Sequence, residues 1–539
     1  MPKPSWMLLV GGAGLAACSP TLADYCAPGT PECTPLEAGS PDGASDGPTE
    51  GGHDAAACDR ASAPHDDGCV IAEAYGVFVA PAGSDSNPGT RTAPLLTLGQ
   101  GMDVAKAAGK RVYVCAGTFP EKLVVSTARD GVNVYGALDC ATWSYGPLNK
   151  VVVAPTETGY ALDVEGLQAG ITFEDVEFDA QPASYGSAGQ SSIAVFANGS
   201  QNVAFERVTI VAGNAADGAP GASPGAAAGD GGSNTPGSNW FGTPPGYSEL
   251  NGINAADAGG PPSAHCTCPD QSATSGGQGG GPMNIPTPGA GTPSYSDAGT
   301  GAPGVNAQQC NSQGSGGGYG GDAPVPAPDM PSASFGVCSA TGWAPGIGVV
   351  GTDGKPGQGG GGGGNGRLSS GSGGGGACGG CGGAGGKPGV GGGSSIALLS
   401  YHSNVAFAGC VLMAKGAGNG GAGGGGEPGQ AGGSPGSPSG SGVGVGCAGG
   451  AGGAGAGGNG AQGGPGGLSL GIGYIGAPPT IDGSAVTQVA SRAGIVLGSA
   501  GMGGAGGIKG AAASSSTGPA GADGAPGQAG LAAAVEPLP

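Results

Sequence analysis

Ile171-Thr-Phe173-Glu-Asp-Val176-Glu-Phe178, Val203-Ala-Phe205-Glu-Arg-Val208-Thr-Ile210 and Val405-Ala-Phe407-Ala-Gly-Cys410-Val-Leu412 are one pattern written three times. Each reads apolar, gap, Phe, two gaps, apolar, gap, apolar, which is two period-2 strand fragments joined by a two-residue bend. Ser191-Ser-Ile193-Ala and Ser394-Ser-Ile396-Ala precede the last two copies at nearly the same offset. A unit this short cannot bury its own apolar face, so copies must stack on one another. The first two copies start 32 residues apart and the last two 202. The extra chain therefore leaves the stack as a loop and returns to it.

Short strands of the same character lie before and between the copies: Leu123–Val125, Val132–Val134, Val151–Val153, Leu162–Val164 and Ile193–Val195. Asn202 and Asn404 stand at the same place in their copies, where a left-handed bend is expected because Asn tolerates it. Cys410 replaces Val208 on the core-facing side, as a free thiol or a disulfide partner.

The remainder is dominated by glycine, 130 of 539 residues, with 46 prolines and few aromatics. Gly and Pro at about a third of a chain signal low-complexity sequence, so an ordinary core occupies only part of it. The runs 213–393, 416–467 and 498–531 carry most of this composition. They begin alike, at Val211-Ala-Gly213-Asn, Ala414-Lys-Gly416-Ala-Gly-Asn419 and Gly498-Ser-Ala-Gly501, which implies departure from one corner. Two readings stay open for them. One is disorder, since glycine is costly to order. The other is a bundle of threefold extended strands bonded backbone to backbone, for which Gly518, Gly521, Gly524, Gly527 and Gly530 have the spacing.

Lys3, the apolar run from Trp6 to Val10 and Leu15-Ala16-Ala17-Cys18 form a signal ending in a lipobox. Cys18 is then the lipid attachment site, anchoring the chain without spanning the bilayer. Export implies an oxidising compartment, and the 14 cysteines left after Cys18 are read mostly as disulfides. The local candidates are Cys26 with Cys33, Cys58 with Cys69, and Cys378 with Cys381; Cys266 pairs with Cys268 or with a more distant cysteine. The net charge of −21, with only 16 Lys and Arg, excludes nucleic acid as a partner.

From Val77 the run VFVAPAGSDSNPGTRTAPLLTLGQGMDVAKAAGKRVYVCAGTFPEKL resembles the opening of pectate-lyase-like right-handed parallel β-helix proteins. The residues that carry it are Gly83, Ser84, Asp85, Asn87, Pro88, Gly89, Thr90, Ala93, Pro94, Gly117, Thr118 and Glu121, with Phe119 in place of the usual Tyr. The likeness covers roughly residues 76 to 125 and implies a fold with a helical cap, but no activity. The glycine-rich runs resemble those of the PE-PGRS type, without the helical PE domain.

Enzymes on such folds need carboxylates grouped on one outer face. Glu174, Asp175, Glu177 and Asp179, with Glu206 and Arg207 one copy on, are the residues available. Aligning the copies stacks Asp175 on Arg207, an ion pair, and Glu174 on Glu206, a like-charge ladder. Glu174, Asp175 and Glu206 are where calcium would bind; no other cofactor is expected. His65, Asp66 and Asp67 in the Cys58–Cys69 segment hold metal-ligand atoms but lack a second His. None of the catalytic sets of polygalacturonases or pectate lyases appears. Cys378-Gly-Gly-Cys381 has redox spacing but lies in polyglycine, where nothing would lower a thiol pKa.

The sequence therefore specifies an all-β chain: a right-handed single-stranded parallel β-helix with long glycine-rich insertions, disordered or polyglycine-II-like. The expected divisions are a signal peptide at 1–17, a lipidated acidic tether at 18–73 and the first part of the β-helix at 74–212. An insertion at 213–393, a rung at 394–415, a second insertion at 416–467, a degenerate rung at 468–497 and a glycine-rich tail at 498–539 follow. The expected role is a structural, adhesive or binding scaffold at a bacterial cell envelope, with outer-membrane exposure to the periplasm or surface. Its partners would be the membrane, through the lipid, and a polysaccharide or other surface ligand. A polysaccharide lyase or glycoside hydrolase is the alternative, and ice or crystal binding by glycine-rich arrays a further one.

Overall fold

The computed structural model describes residues 58–183, 187–224, 265–268, 270–281, 287–294, 303, 316–365, 372–438, 446–513 and 518–539. The expected signal peptide, Cys18, Cys26 and Cys33 lie outside these residues. The regular secondary structure of the described residues is mostly strand, with one α-helix, and the main sheets are parallel.

Strand β1 (Gly76–Val79) and helix α1 (Leu98–Ala108) precede a sequence of short strands that visits three sheets in fixed rotation. The first pass is β2 (Arg111–Cys115), β3 (Gly117–Phe119) and β4 (Leu123–Val125). The second is β5 (Val134–Leu138), β6 (Val151–Val153) and β7 (Leu162–Glu165), and the third β8 (Ile171–Glu174), β9 (Glu177–Asp179) and β10 (Ser192–Asn198). The fourth begins with β11 (Val203–Glu206) and β12 (Thr209–Val211). It leaves through two antiparallel hairpins, β13 (His265–Thr267) with β14 (Ala273–Ser275) and β15 (Gly336–Ser339) with β16 (Gly342–Pro345), and closes with β17 (Ser395–Tyr401). The fifth is β18 (Val405–Ala408), β19 (Val411–Met413) and β20 (Ser469–Ile475). The last is β21 (Thr480–Ile481), β22 (Ser484–Ala485), β23 (Ile495–Val496) and β24 (Ala532–Pro537).

The first sheet runs β1-β2-β5-β8-β11-β18-β21-β22, the second β3-β6-β9-β12-β19-β23 and the third β4-β7-β10-β17-β20-β24. The three copies of the motif pair in register, with Ile171, Val203 and Val405 side by side and Phe173, Phe205 and Phe407 beside one another. The three rings stack at 5.8 and 5.4 Å, nearly parallel, inside a core that also takes Phe178, Ile210 and Leu412. Left-handed backbone marks the bends: Asn202 at φ 53 before β11, and Asp175 and Arg207 at φ 55 and 52 between the first and second sheets. Asn404 is not left-handed; that duty falls to the nearby His402, at φ 49.

The residues behind the sequence resemblance have physical roles at the N-terminal end. Asp85 accepts from the N–H groups of Leu96 and Thr97 at 3.0 and 2.9 Å. Glu121 accepts from Leu98 and Gly99, so a carboxylate sits on the first turn of α1, where the helix dipole favours it. Leu98, Met102 and Ala105 of α1 are fully buried over the open end of the core.

Two outer faces carry apolar patches, each covered by another part of the chain. Outside the first sheet, Phe78, Tyr113, Tyr135 and Trp143 cluster with Ile71 beneath the 58–73 segment. Outside the third, Ile193, Phe196, Ile396, Leu399 and Leu470 pack against Cys338, Phe335 and Trp343 from the second hairpin and its approach. Both hairpins were read as part of a glycine-rich insertion, and β24 as part of a glycine-rich tail. Ala532–Pro537 instead completes the third sheet against β20.

The glycine-rich runs depart after β12, β19 and β23, each between the second and third sheets, and lie one above another. Ala215 N donates to Gly416 O and Ala417 N to Ser499 O. Hydrogen bonds then recur at every third residue. Gly380 N donates to Gly453 O, Gly383 N to Ala456 O and Gly386 N to Asn459 O. Segment 446–467 is bonded in this way to 316–323, 348–365, 372–393, 416–436, 501–510 and 519–528. A Cβ added at Gly453 would stand 2.0 Å from Gly321 O, and one at Gly460 2.1 Å from Gly507 O. Only glycine admits backbone that close. Where the backbone repeat leaves an N–H without a carbonyl, short polar side chains supply the acceptor: Asn214 for Gly416, Asp217 for Asn419 and Asn459 for Ala522.

Candidate functional site

The acidic residues on the outer face of the first sheet gather as the register requires. Glu206 pairs with Glu174 across β11 and β8. Arg207 lies over Asp175, with Nε 3.1 Å from Oδ1 and Nη2 3.1 Å from Oδ2. Arg207 also donates to Glu174 Oε1. Left-handed backbone at both Asp175 and Arg207 aims the two side chains out of the corner together.

The third participant comes from far away in sequence. His65 Nδ1 faces Glu174 Oε1 at 2.6 Å and its Nε2 faces Asp66 Oδ1 at 2.9 Å. Arg207 Nη2 lies 3.0 Å from the same Nδ1, and the Tyr145 ring stands 6.2 Å from the imidazole. His65 was a metal-ligand candidate beside Asp66 and Asp67; the structure places it on a carboxylate of the first sheet instead. Asp67 accepts locally from Cys69 N at 2.9 Å. Among the described residues, Cys58, Asp67 and Cys69 hold ligand atoms within 4.8 Å of one another, but the two sulfurs are joined to each other.

Burial governs the electrostatics here. Glu174 is 2% exposed. Desolvation pushes its carboxyl above the ordinary range, opposed by Arg207 and His65 and reinforced by Glu206. Burial works against the charge on Arg207, but its hydrogen bonds to Asp175 and the charges of Asp175 and Glu174 outweigh that and push its pKa up. The Tyr145 hydroxyl is raised by burial first and by Asp175 second. The like-charge ladder of Glu174 and Glu206 is thus eased by a guanidinium and an imidazole from this chain. These occupy the side on which Glu174 and Asp175 would meet calcium.

Next to this cluster the outer face is open and uncharged. A groove of about 810 Å³ runs across the strands, lined by Asn133, Thr172, Asn202, Ala204, Asn404, Ala406 and Thr480. Thr172 and Ala204 lie two residues before Glu174 and Glu206 on the same strands, so the groove and the cluster share one face.

Four disulfides lie among the described residues: Cys58–Cys69, Cys115–Cys140, Cys266–Cys378 and Cys268–Cys381. The local Cys378–Cys381 pairing does not form. In a threefold extended segment residues three apart are about 9 Å apart, beyond the reach of a disulfide. Cys266 on β13 and Cys268 just after it are two residues apart, so the segments are joined by two neighbouring bridges. Cys447 is also disulfide-bonded, whereas Cys338 and Cys410 are free. Burial raises both thiols, Cys338 to about 11.

No family model matches the chain, and no curated protein matches it. The pectate-lyase-like and PE-PGRS-type resemblances therefore have no family match behind them. A solved structure that resembles the chain is a rhamnogalacturonan lyase, 20% identical, with a TM-score of 0.13. The match spans 25% of this chain and 35% of that one. A likeness this slight carries neither fold nor activity across.

Proposed function

We propose that this chain is a cell-envelope lipoprotein, anchored through Cys18, that acts as a structural, adhesive or binding scaffold. In this reading the three sheets are the faces of a right-handed parallel β-helix, a form supported by the strict rotation of strands among them. The glycine-rich segments are polyglycine-II-like, supported by their hydrogen bonds at every third residue.

One observation carries the scaffold reading: the glycine-rich segments form a continuous backbone-bonded array fixed to one corner of the body. Such an array offers rigidity and area, and its few ionisable side chains, among them Asp353, Lys355, Lys387, Glu427, Lys509 and Asp523, are scattered among glycines. The charged cluster outside it is largely neutralised from within, with Glu174 covered by His65 and Arg207. A catalytic carboxylate would need to meet solvent or substrate.

The test uses the full chain produced in a bacterium with an outer membrane. Wild type should fractionate with membrane and Cys18→Ser should not. The purified protein is then incubated with envelope polysaccharides, with and without calcium, and read for co-sedimentation and for new reducing ends. Binding without cleavage is expected. Cleavage that disappears in Glu174→Ala or Asp175→Ala would replace the scaffold with a lyase or hydrolase.

A further inference from the structure

A second, smaller cavity lies where the hairpin β15–β16 meets the outer face of the third sheet. Its volume is about 270 Å³, and Tyr160, Gln190, Ser191, Ile193, Trp343 and Pro345 supply its side chains. The walls come from distant parts of the chain. Tyr160 precedes β7, Gln190 to Ile193 lead into β10, and Trp343 and Pro345 stand on β16. The two sides are fixed to each other. Asn198 Nδ2 donates to Ala340 O at 3.0 Å at the tip of the hairpin, and Ile347 bridges to Val390 beyond its base. Gly342 lies so close to Tyr160 that a Cβ there would stand 2.0 Å from the hydroxyl oxygen. The cavity is thus preformed, which lowers the cost of filling it.

Its polar groups are donors in want of an acceptor. Trp343 Nε1 is shut off from solvent, and no described residue accepts from it. A buried N–H without a partner is destabilising, and native proteins rarely leave one. Burial pushes the Tyr160 hydroxyl up to about 12, with Asp163 adding to the effect, so that group keeps its hydrogen. Ser191 Oγ accepts from Ser394 N at 2.8 Å, which leaves its own hydrogen to give. Ile193, Pro345 and the indole ring make the remaining surface apolar. No carboxylate, ammonium or guanidinium lines the cavity, and the Lys122–Asp163 pair beside Tyr160 is matched charge for charge at 2.9 Å.

The occupant that fits is small and uncharged, with oxygen acceptors at its rim and C–H groups on a face. A pyranose ring is built in that way, and its C–H face can leave water against an indole. An acidic sugar would bring a carboxylate with no cation to meet it. A volume just under the ligand-pocket range of about 300–1,000 Å³ admits one ring and not a run of them. We propose that this pocket binds a single neutral pyranose unit, the end or a branch of a cell-surface glycan, with Trp343 Nε1 as the donor that orients it. The proposal rests on the scaffold reading for the source of the glycan, and it gives that scaffold a point of contact.

The experiment uses the full chain with nitrogen-15 in its tryptophans. It is titrated with the methyl glycosides of glucose, galactose, mannose, rhamnose and N-acetylglucosamine, and separately with methyl glucuronide. The Trp343 indole resonance is identified as the one lost in Trp343→Phe. It should move with at least one neutral glycoside and not with the glucuronide, while the other indole resonances move with neither. Affinity for that glycoside, read by calorimetry, should fall about tenfold in Trp343→Phe, as expected when one buried acceptor loses its donor. Tyr160→Phe also keeps its ring and should weaken binding too, so the site stays readable if one variant packs poorly. A Trp343 resonance unmoved by every neutral glycoside overturns the proposal, because the indole N–H would then be met by water alone. So does equal movement with methyl glucuronide, since the pocket would not select for the absence of charge. Neither result touches the scaffold reading, whose co-sedimentation assay reports polysaccharide held anywhere on the chain.

Discussion

The body and the glycine array solve the same problem in opposite ways. In the body, strands lie side by side and side chains fill the space they enclose: Phe173, Phe205 and Phe407 stack along the core, with Phe178 edge-on. In the array there is little side chain to pack, and the backbones themselves approach until a Cβ at Gly453 would strike a carbonyl oxygen. The first is stabilised mainly by apolar burial, the second by hydrogen bonds and close backbone contact. Damage to one should therefore register differently from damage to the other.

The largest effect is expected in the body. Phe205→Ala removes the middle ring of the stack and should cost about 3–5 kcal/mol, read as a lower denaturant midpoint by circular dichroism. If the array unfolds in the same transition, the two regions are one cooperative unit and the comparison fails.

Next is the pair of bridges that ties β13 to the array. Removal of a native disulfide costs about 2–5 kcal/mol, and Cys266→Ser with Cys268→Ser opens loops of 112 and 113 residues. Limited proteolysis should then cut between residues 265 and 381, leaving the three sheets intact.

A single methyl-bearing side chain in the array comes third. Gly453→Val should destabilise the array by about 1–3 kcal/mol, the usual range for overpacking, seen as faster hydrogen exchange in residues 446–467. Ala505→Val, on an exposed position of a peripheral segment, should change stability by less than about 0.5 kcal/mol. Equal effects of the two would mean that the array is not tightly packed.

The smallest effect concerns pH. Burial raises the Glu174 carboxyl, so the native state keeps a proton that the unfolded chain releases in the ordinary carboxylate range. Its contribution to stability is present below that range and fades as pH rises through the raised native value. Glu174→Gln should remove that part of the decline, visible as a flatter plot of stability against pH from acid to neutral.

The strands of the body were legible because their signal is local. Ile171–Phe178, Val203–Ile210 and Val405–Leu412 announce both their strands and their mutual register, and the alignment also placed Arg207 over Asp175. Composition showed where the glycine excursions begin and that they share a corner. What was not legible depends on partners distant in sequence. Nothing near Cys378 points to Cys266, and nothing near His65 points to Glu174, 109 residues on. Ala532–Pro537 was hidden for another reason: its three alanines carry no β signature, and β20 beside it makes it a strand. The hairpin carrying Cys338 and Trp343 was obscured by the glycine around it, although a Trp in such a run is a cue that something apolar waits to be covered.

Because every excursion leaves and returns at one corner, the length of an excursion is uncoupled from the order of the sheets. The array, in contrast, counts in threes. Three added residues lengthen a segment by about 9 Å and leave every later glycine facing the same neighbour. One added residue puts side chains where carbonyls already stand. The corner thus acts as a port to which reach can be added by whole triplets, like links on a chain, while the body it grows from stays unaltered.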